Sequence, residues 1–126
     1  MKLLSILAFV IAASVANATT YYIDYVSGND AANGTTTATP WKHFPMDSRA
    51  ALNSVADTTT IVAGDILAPK GGVVYITSGY MLFPNGATGN PVIVDGGLWG
   101  TGKAELTSNN NGLGMWTNGG TALNNC

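Results

Sequence analysis

Several side chains near the start of the chain could bind a metal ion through oxygen atoms: Asp24, Asn29, Asp30 and Asn33. Calcium takes about 6–8 oxygen ligands of this kind in proteins. The spacing of Asn29 and Asn33 approaches a calcium-loop pattern, but Ala31 stands at a middle ligand position. Asx turns, in which the side-chain oxygen accepts a backbone N–H, explain the same residues equally well. We therefore assign no cofactor, with Ca²⁺ possible in the full-length protein.

His43 is the only histidine and so the first candidate for a general base. A base needs a carboxylate or a nucleophile beside it, and Asp47 is the one near candidate in the sequence. Ser48 and Ser54 lack the strand–turn–helix setting of a nucleophilic serine. We expect a half-buried or surface His43 rather than a catalytic one.

Three further carboxylates invite an acid–base interpretation of the kind used by glycosidases: Asp65, Asp95 and Glu105. Each stands beside a turn, where an acidic side chain commonly accepts backbone N–H groups. Structural roles are therefore favoured over a catalytic pair. The sequence contains no readable active site, and we assign no catalytic, cofactor-binding or metal-binding residue.

Three tryptophans could stack on sugar rings or pack in a core, because the indole ring carries a large apolar area. Trp41 precedes the predicted helix and is expected in the core. Trp99 lies among glycines in a bend and is the better candidate for exposure. Trp116 has no assigned place.

Short β-branched runs separated by Gly, Asn and Pro must position these side chains. The predicted strands are 20–26, one beginning at 66–67 and cut off by Pro69, 73–77, 80–83, 92–94, 104–107 and 113–117. The apolar triplet at 92–94 is typical of a strand in a parallel sheet. No segment between 73–77 and 92–94 has the length of a crossover helix. This spacing favours a chain that coils, laying each strand beside the last.

One helix is predicted, from Asp47 to about Val55, with Asp47 or Ser48 as its N-cap. Leu52 and Val55 would share a face of this helix. We expect the helix to cover the first strands, because an uncovered strand edge invites aggregation. On this prediction, Leu52→Asp makes the protein aggregate.

The first 18 residues have the layout of a secretory signal peptide. A positive start precedes an apolar run from Leu3 to Ala13 and the small-residue cleavage pattern Ala16-Asn17-Ala18. The apolar run is shorter than the roughly 20 residues of a membrane-spanning helix. We expect cleavage after Ala18, an extracellular or periplasmic product, and no membrane partner afterwards. Residues 19–126 then form a single, incomplete domain.

Composition excludes some classes of partner. The chain has 126 residues with a formal net charge of −2, and only 10% of them are charged. An acidic chain with no basic cluster argues against nucleic acid, whose phosphates need Lys and Arg. Cys126 is the only cysteine, so no disulfide forms within the chain. The turn-rich stretch 109–126 lacks a closing element, and we expect the protein to continue beyond it.

A combination of motifs resembles the start of proteins in the pectate-lyase-like right-handed parallel β-helix superfamily. The motifs are Thr20–Asp24, Ser27–Asp30, Asn33–Thr35, Ala38–Lys42, Gly64–Asp65, Gly71–Gly72 and Gly86–Val94. The resemblance implies an all-β fold: the N-terminal end of a right-handed parallel β-helix with one short capping α-helix. Catalytic and calcium-binding residues of the family usually lie on later windings, and none of them matches a position here.

The same resemblance implies a secreted protein that acts on polysaccharide, as a lyase or a glycoside hydrolase. Its partner would be a polysaccharide or a cell-surface glycan, and its catalytic windings would lie beyond Cys126. The alternative is a non-enzymatic β-helix, such as a surface adhesin or a tail-spike-like glycan-binding protein. Fold analogy alone does not decide between them.

Overall fold

The computed structural model describes residues 17–45, 47–77 and 86–108, and the backbone of 121–124. Its elements are β1 (Thr20–Ile23), α1 (Val55–Thr58), β2 (Ile66–Pro69), β3 (Val74–Thr77), β4 (Val92–Asp95), β5 (Glu105–Ser108) and β6 (Thr121–Asn124). The expected class, mostly strands with one short helix, is confirmed. The predicted strands 80–83 and 113–117 lie outside the described residues, and β6 was not predicted.

All strand pairs described are parallel. One sheet has the order β1-β2-β4-β6 and a second pairs β3 with β5. Ile66 lies beside Ile93, and Val74 lies beside Glu105. The chain therefore runs through β2 and β3, and then through β4 and β5 in the same order. Each later strand rests on its earlier counterpart, as the coiling prediction requires.

The bends between these strands also lie side by side. Gly71, between β2 and β3, bridges in parallel to Gly100, between β4 and β5. The Gly71 N–H donates to the Trp99 carbonyl at 2.8 Å. A Cβ at Gly71 would lie 2.4 Å from the carbonyl oxygen of Gly102, so the two bends approach closely only because glycine stands there.

A continuous apolar core lies between the two sheets and the segments before β2. Its buried members are Ile23, Trp41, Phe44, Ala56, Ile61, Leu67, Tyr75, Val92, Val94 and Ala104. Leu67 and Val94 are neighbours in the strand register, so aliphatic side chains stack from one strand to the next. On β3, Tyr75 is buried while Val74 and Ile76 are exposed, so the side chains alternate between the core and solvent as in any half-buried strand.

A loop covers the outer edge of β1. The Tyr22 N–H donates to the Gly34 carbonyl at 2.7 Å, and the Trp41 N–H donates to the Tyr22 carbonyl at 2.9 Å. The Asp24 N–H then donates to the Trp41 carbonyl at 2.8 Å. These bonds pair the edge that would otherwise be open to another strand. Loop 34–41, rather than a helix, therefore closes this edge.

The helix prediction is wrong in position. Helix α1 begins after Ser54, whose side chain accepts the Asp57 N–H, and no helix forms over 47–54. Asn53 adopts a left-handed φ of 59°, which breaks a right-handed helix. Leu52 is 85% exposed, so it does not face the core. The helix contributes Ala56 to the core instead.

The first strand is shorter than predicted. It ends at Ile23 because the Asp24 side chain accepts the backbone N–H of Val26 and of Ser27 and turns the chain. In residues 17–45, 47–77, 86–108 and 121–124, no helix has the length and apolar character to cross a bilayer.

Candidate functional site

The four predicted oxygen ligands do not converge on one point. Asn29 accepts the Ala31 N–H at 3.0 Å, and Asn33 accepts the Thr35 N–H at 3.2 Å. Both are therefore Asx turns, as the structural interpretation proposed. Asp24 and Asp30 bind separate sets of donors. Across the described part of the chain, no group of three or more His, Cys, Asp or Glu side chains could hold a metal.

The buried carboxylate of Asp24 forms an ion pair with the partly exposed Lys70. The Lys70 ammonium lies 2.7 Å from Asp24 Oδ2, and the Ser27 hydroxyl donates to the same oxygen at 2.6 Å. Burial alone would raise the pKa of Asp24, but the bonds from Lys70, Ser27 and two backbone N–H groups lower it to about 2. Asp24 therefore stays ionised and anchors Lys70 at the end of β2.

Lys70 and Tyr22 both contact Trp99. The Lys70 ammonium lies 5.3 Å from the centre of the Trp99 ring, and Tyr22 meets that ring edge-on at 5.6 Å. The indole N–H donates to the carbonyl of Ala68 at 2.8 Å. We name these three side chains, Tyr22, Lys70 and Trp99, the Trp99 face. Each of the three is half-buried, so part of the face reaches solvent.

His43 pairs with Asp30, and not with Asp47 as the sequence suggested. The Nδ1 atom of His43 lies 2.7 Å from Asp30 Oδ2, and the His43 side chain is 12% exposed. A half-buried His43 was expected and is found. A carboxylate on Nδ1 is how an acid–base histidine is oriented. Here, however, Asp30 also binds backbone groups, so its bond to His43 belongs to a structural network rather than to a catalytic one.

Asp30 also accepts three backbone N–H groups, from Lys42, His43 and Ala51. Burial would raise the pKa of Asp30, but its bonds to His43 and Ala51 lower it. This one carboxylate therefore holds together three segments of the chain, at residues 30, 42–43 and 51. That role is structural, and it needs no substrate.

Asp47 binds Arg49 instead of capping a helix. Two nitrogens of the guanidinium bond to the two carboxylate oxygens, Nε at 3.0 Å and Nη2 at 2.7 Å. Arg49 also donates to the Tyr25 hydroxyl and lies 5.0 Å from the centre of that ring. The bond to Asp47 is the main cause of the raised pKa of Arg49. This arrangement fixes Tyr25 against His43.

The tryptophan predictions divide into three outcomes. Trp41 is fully buried, as predicted, and stacks on Tyr21 with ring centres 4.6 Å apart. Trp99 was expected to be exposed, but it is half-buried over Ala68. Trp116 lies outside the described residues.

Two of the three remaining carboxylates, Asp65 and Asp95, accept backbone N–H groups near turns. Asp65 accepts the backbone N–H of Thr19 and of Val62, and Asp95 accepts that of Gly97. Glu105 is exposed on β5. The structural interpretation of Asp65 and Asp95 is confirmed. The Tyr75 hydroxyl is also buried, where it donates to the Ile23 carbonyl, and burial raises its pKa.

Sequence reasoning missed the Trp99 face because its members are far apart in the chain. Tyr22 and Ala68 are neighbours only through the pairing of β1 with β2. Lys70 follows β2 directly, and Trp99 stands in the next bend of the chain. A lysine just after a strand, together with an aromatic residue in a glycine bend, was the one available signal.

No known family profile matches the chain, and no curated protein matches it. The Trp99 face is thus the best candidate for a ligand contact on geometry alone, since it combines aromatic edges with a cation that is 35% exposed.

Proposed function

We propose that residues 19–126 form the N-terminal end of a right-handed parallel β-helix of the pectate-lyase-like superfamily. The protein would be secreted and would act on polysaccharide as a lyase or a glycoside hydrolase. Catalytic residues would lie on later windings, as the resemblance implies. The fold carries this proposal only by analogy, so the test has to be chemical.

One observation supports the proposal more than any other. Strands and bends repeat in the same order and in parallel register, so that Ile66 lies beside Ile93, Gly71 beside Gly100 and Val74 beside Glu105. In a solenoid, each repeat buries its apolar side against the next repeat. The elongated side of such a coil can hold an extended sugar chain.

The Trp99 face supports a glycan as the ligand. Tyr22 and Trp99 offer aromatic carbon surface, and Lys70 offers an ammonium that can donate to sugar hydroxyl or carboxylate oxygens. The face lies on the outer side of β1 and β2, where a bound chain would run across the strands. Asp24 takes one of the three Lys70 N–H donors, and an acidic polysaccharide would accept from the other two more strongly than a neutral one.

The test is a depolymerisation screen of the protein in its native secreted form. Pectin, alginate and chondroitin sulfate are the substrates, and dextran is the neutral control. A lyase produces unsaturated sugar ends that absorb ultraviolet light, and a hydrolase produces only reducing ends. We expect one of these products from an acidic polymer and none from dextran.

Residues 19–126 alone should bind weakly and should show no turnover. Turnover by this segment would contradict the placement of the catalytic residues on later windings. Binding by the secreted protein without any product would instead support the adhesin-type alternative. If the protein neither binds nor degrades these polymers, an acidic polysaccharide is refuted as its ligand.

A further inference from the structure

Asp65 is a buried carboxylate, and among the described residues no Lys, Arg or His side chain forms an ion pair with it. Its side chain is 1% exposed and accepts two backbone N–H groups, from Thr19 at 2.9 Å and from Val62 at 2.9 Å. The ion pairs of the described residues join Asp24 to Lys70, Asp30 to His43 and Asp47 to Arg49. A carboxylate this deeply buried is stabilised best by an opposite charge.

The hydrogen bond from Thr19 ties Asp65 to the point where the chain enters β1. Thr19 precedes β1 directly, and its carbonyl accepts the Ile66 N–H at 2.9 Å. Both backbone groups of Thr19 are therefore fixed against the start of β2. Asn17 and Ala18 are exposed, whereas Thr19 is half-buried, so the chain enters the fold at this residue.

The predicted leader cleavage falls at this same boundary. Hydrolysis of the Ala18–Thr19 peptide bond by an export peptidase consumes one water molecule. It leaves a carboxylate on Ala18 and a free amine on Thr19. At neutral pH that amine takes a proton, because α-amino groups have pKa values of roughly 7.7–8.0. The nitrogen that donates to Asp65 would then carry a positive charge.

We propose that the processed N-terminus of Thr19 is the cation that pairs with Asp65, so that leader removal creates an ion pair that stabilises the pairing of β1 with β2. The inference rests on cleavage after Ala18 and is independent of any polysaccharide activity. Before cleavage the bond is between an amide and a carboxylate. After cleavage it is a charge-assisted bond between the same nitrogen and the same carboxylate.

The gain does not require a large desolvation cost. Thr19 is half-buried, so an ammonium there keeps part of its hydration while it faces Asp65. Replacing a neutral donor by a charged one strengthens such a bond enough to lower the unfolding equilibrium constant about tenfold. The unprocessed chain should fold in the same way but with lower stability.

The experiment compares three N-terminal forms of the processed chain. One begins with a free Thr19 amine, one has that amine acetylated, and one retains Asn17 and Ala18. In denaturant unfolding, the free-amine form should have an unfolding equilibrium constant about tenfold smaller than that of the other two forms. Edman sequencing or mass spectrometry of the exported protein should show Thr19 as its first residue.

The variant Asp65→Asn tests whether Asp65 is the carboxylate that pairs with the Thr19 amine. In that background the difference between the free and the acetylated amine should nearly vanish. Asp57→Asn is the matched control, because Asp57 also accepts a backbone N–H, from Asn53 at 2.9 Å. The difference should persist in this control.

Three results would overturn the proposal. They are equal stability of the three forms with Asp65 intact, an acetylation effect of the same size in Asp65→Asn, and an exported N-terminus other than Thr19. The first of these decides the question even where Asp65→Asn does not fold.

Discussion

The loop region (residues 17–45 and 47–61) and the stacked region (residues 66–77 and 86–108) are stabilised by different kinds of contact. The stacked region consists of short parallel strands with aliphatic residues in register and glycines in the bends. The loop region has one strand and one short helix, and three buried carboxylates determine most of its path: Asp24, Asp30 and Asp47.

This difference separates two ways of specifying structure. In the stacked region, a pattern of apolar residues and glycines is sufficient, because the backbone supplies most of the hydrogen bonds. In the loop region, single side chains replace the ladder bonds, and Asp30 alone binds three backbone N–H groups. We therefore expect loss of a buried charge to weaken the loop region more than the stacked region, and added volume in a glycine bend to weaken the stacked region.

The largest effect is expected from Trp41→Ala. Trp41 is fully buried, stacks on Tyr21 and lies next to the edge bonds of β1. Its loss should lower the free energy of unfolding by about 3–5 kcal/mol and should promote aggregation through the opened edge. Denaturant unfolding and light scattering measure both effects. A soluble variant with unchanged unfolding would show that loop 34–41 does not close the sheet.

A smaller effect in the stacked region is expected from Gly72→Ala. Gly72 and Gly102 share a φ of 80°, but only at Gly72 would a Cβ meet a carbonyl oxygen, that of Thr101 at 2.6 Å. Both alanines carry the left-handed strain of roughly 1–2 kcal/mol. Gly72→Ala should cost roughly 1–3 kcal/mol more than its matched control, Gly102→Ala. Equal costs in thermal unfolding would mean that the two bends are not in contact.

Acid should weaken the loop region before the stacked region. The pKa of Asp24 is lowered from 3.8 to about 2, so its contribution is complete above the ordinary value and is lost as the pH falls towards the lowered one. Because Lys70 is partly exposed, we expect a loss of roughly 1–2 kcal/mol between about pH 4 and pH 2. Asp30, whose pKa is also lowered, acts in the same direction.

Amide hydrogen exchange at decreasing pH would locate this loss. Protection should fall first at the N–H groups of Lys42 and Ala51, and later at that of Ile93. Asp24→Asn should flatten the pH dependence of unfolding. Simultaneous loss of protection in both regions would contradict the proposed division.

The smallest effect is expected from Leu52→Asp. The predicted helix over 47–55 made this substitution disruptive, but Leu52 is 85% exposed. A surface substitution of this kind usually changes stability by less than about 0.5 kcal/mol. Ile61→Asp, at a buried position in the same region, is the matched contrast and should destabilise the protein clearly more than Leu52→Asp. Aggregation of Leu52→Asp would contradict the exposed position of Leu52 and would support the predicted covering role of this segment.

The sequence predicted the stacked region better than the loop region, for a physical reason. β-branched runs bounded by Gly and Pro placed β2 to β5 to within a few residues, because that pattern is local. The pairing of Asp30 with His43 and Ala51 is not local, and no periodicity reports it. The left-handed conformation of Asn53 is incompatible with the helix predicted from Asp47 to Val55, and no sequence rule required that conformation there.

The most direct test of the parallel stacking is a disulfide between β3 and β5. Val74 and Glu105 are exposed register partners, and neighbouring strands lie about 4.7–4.9 Å apart, within the range that a disulfide spans. Val74→Cys with Glu105→Cys, in a Cys126→Ser background, should oxidise to an intramolecular bridge. The pair Ile76→Cys with Glu105→Cys, two residues out of register, should not. Equal bridging of the two pairs, or bridging of the second alone, would contradict the stacking of β5 on β3.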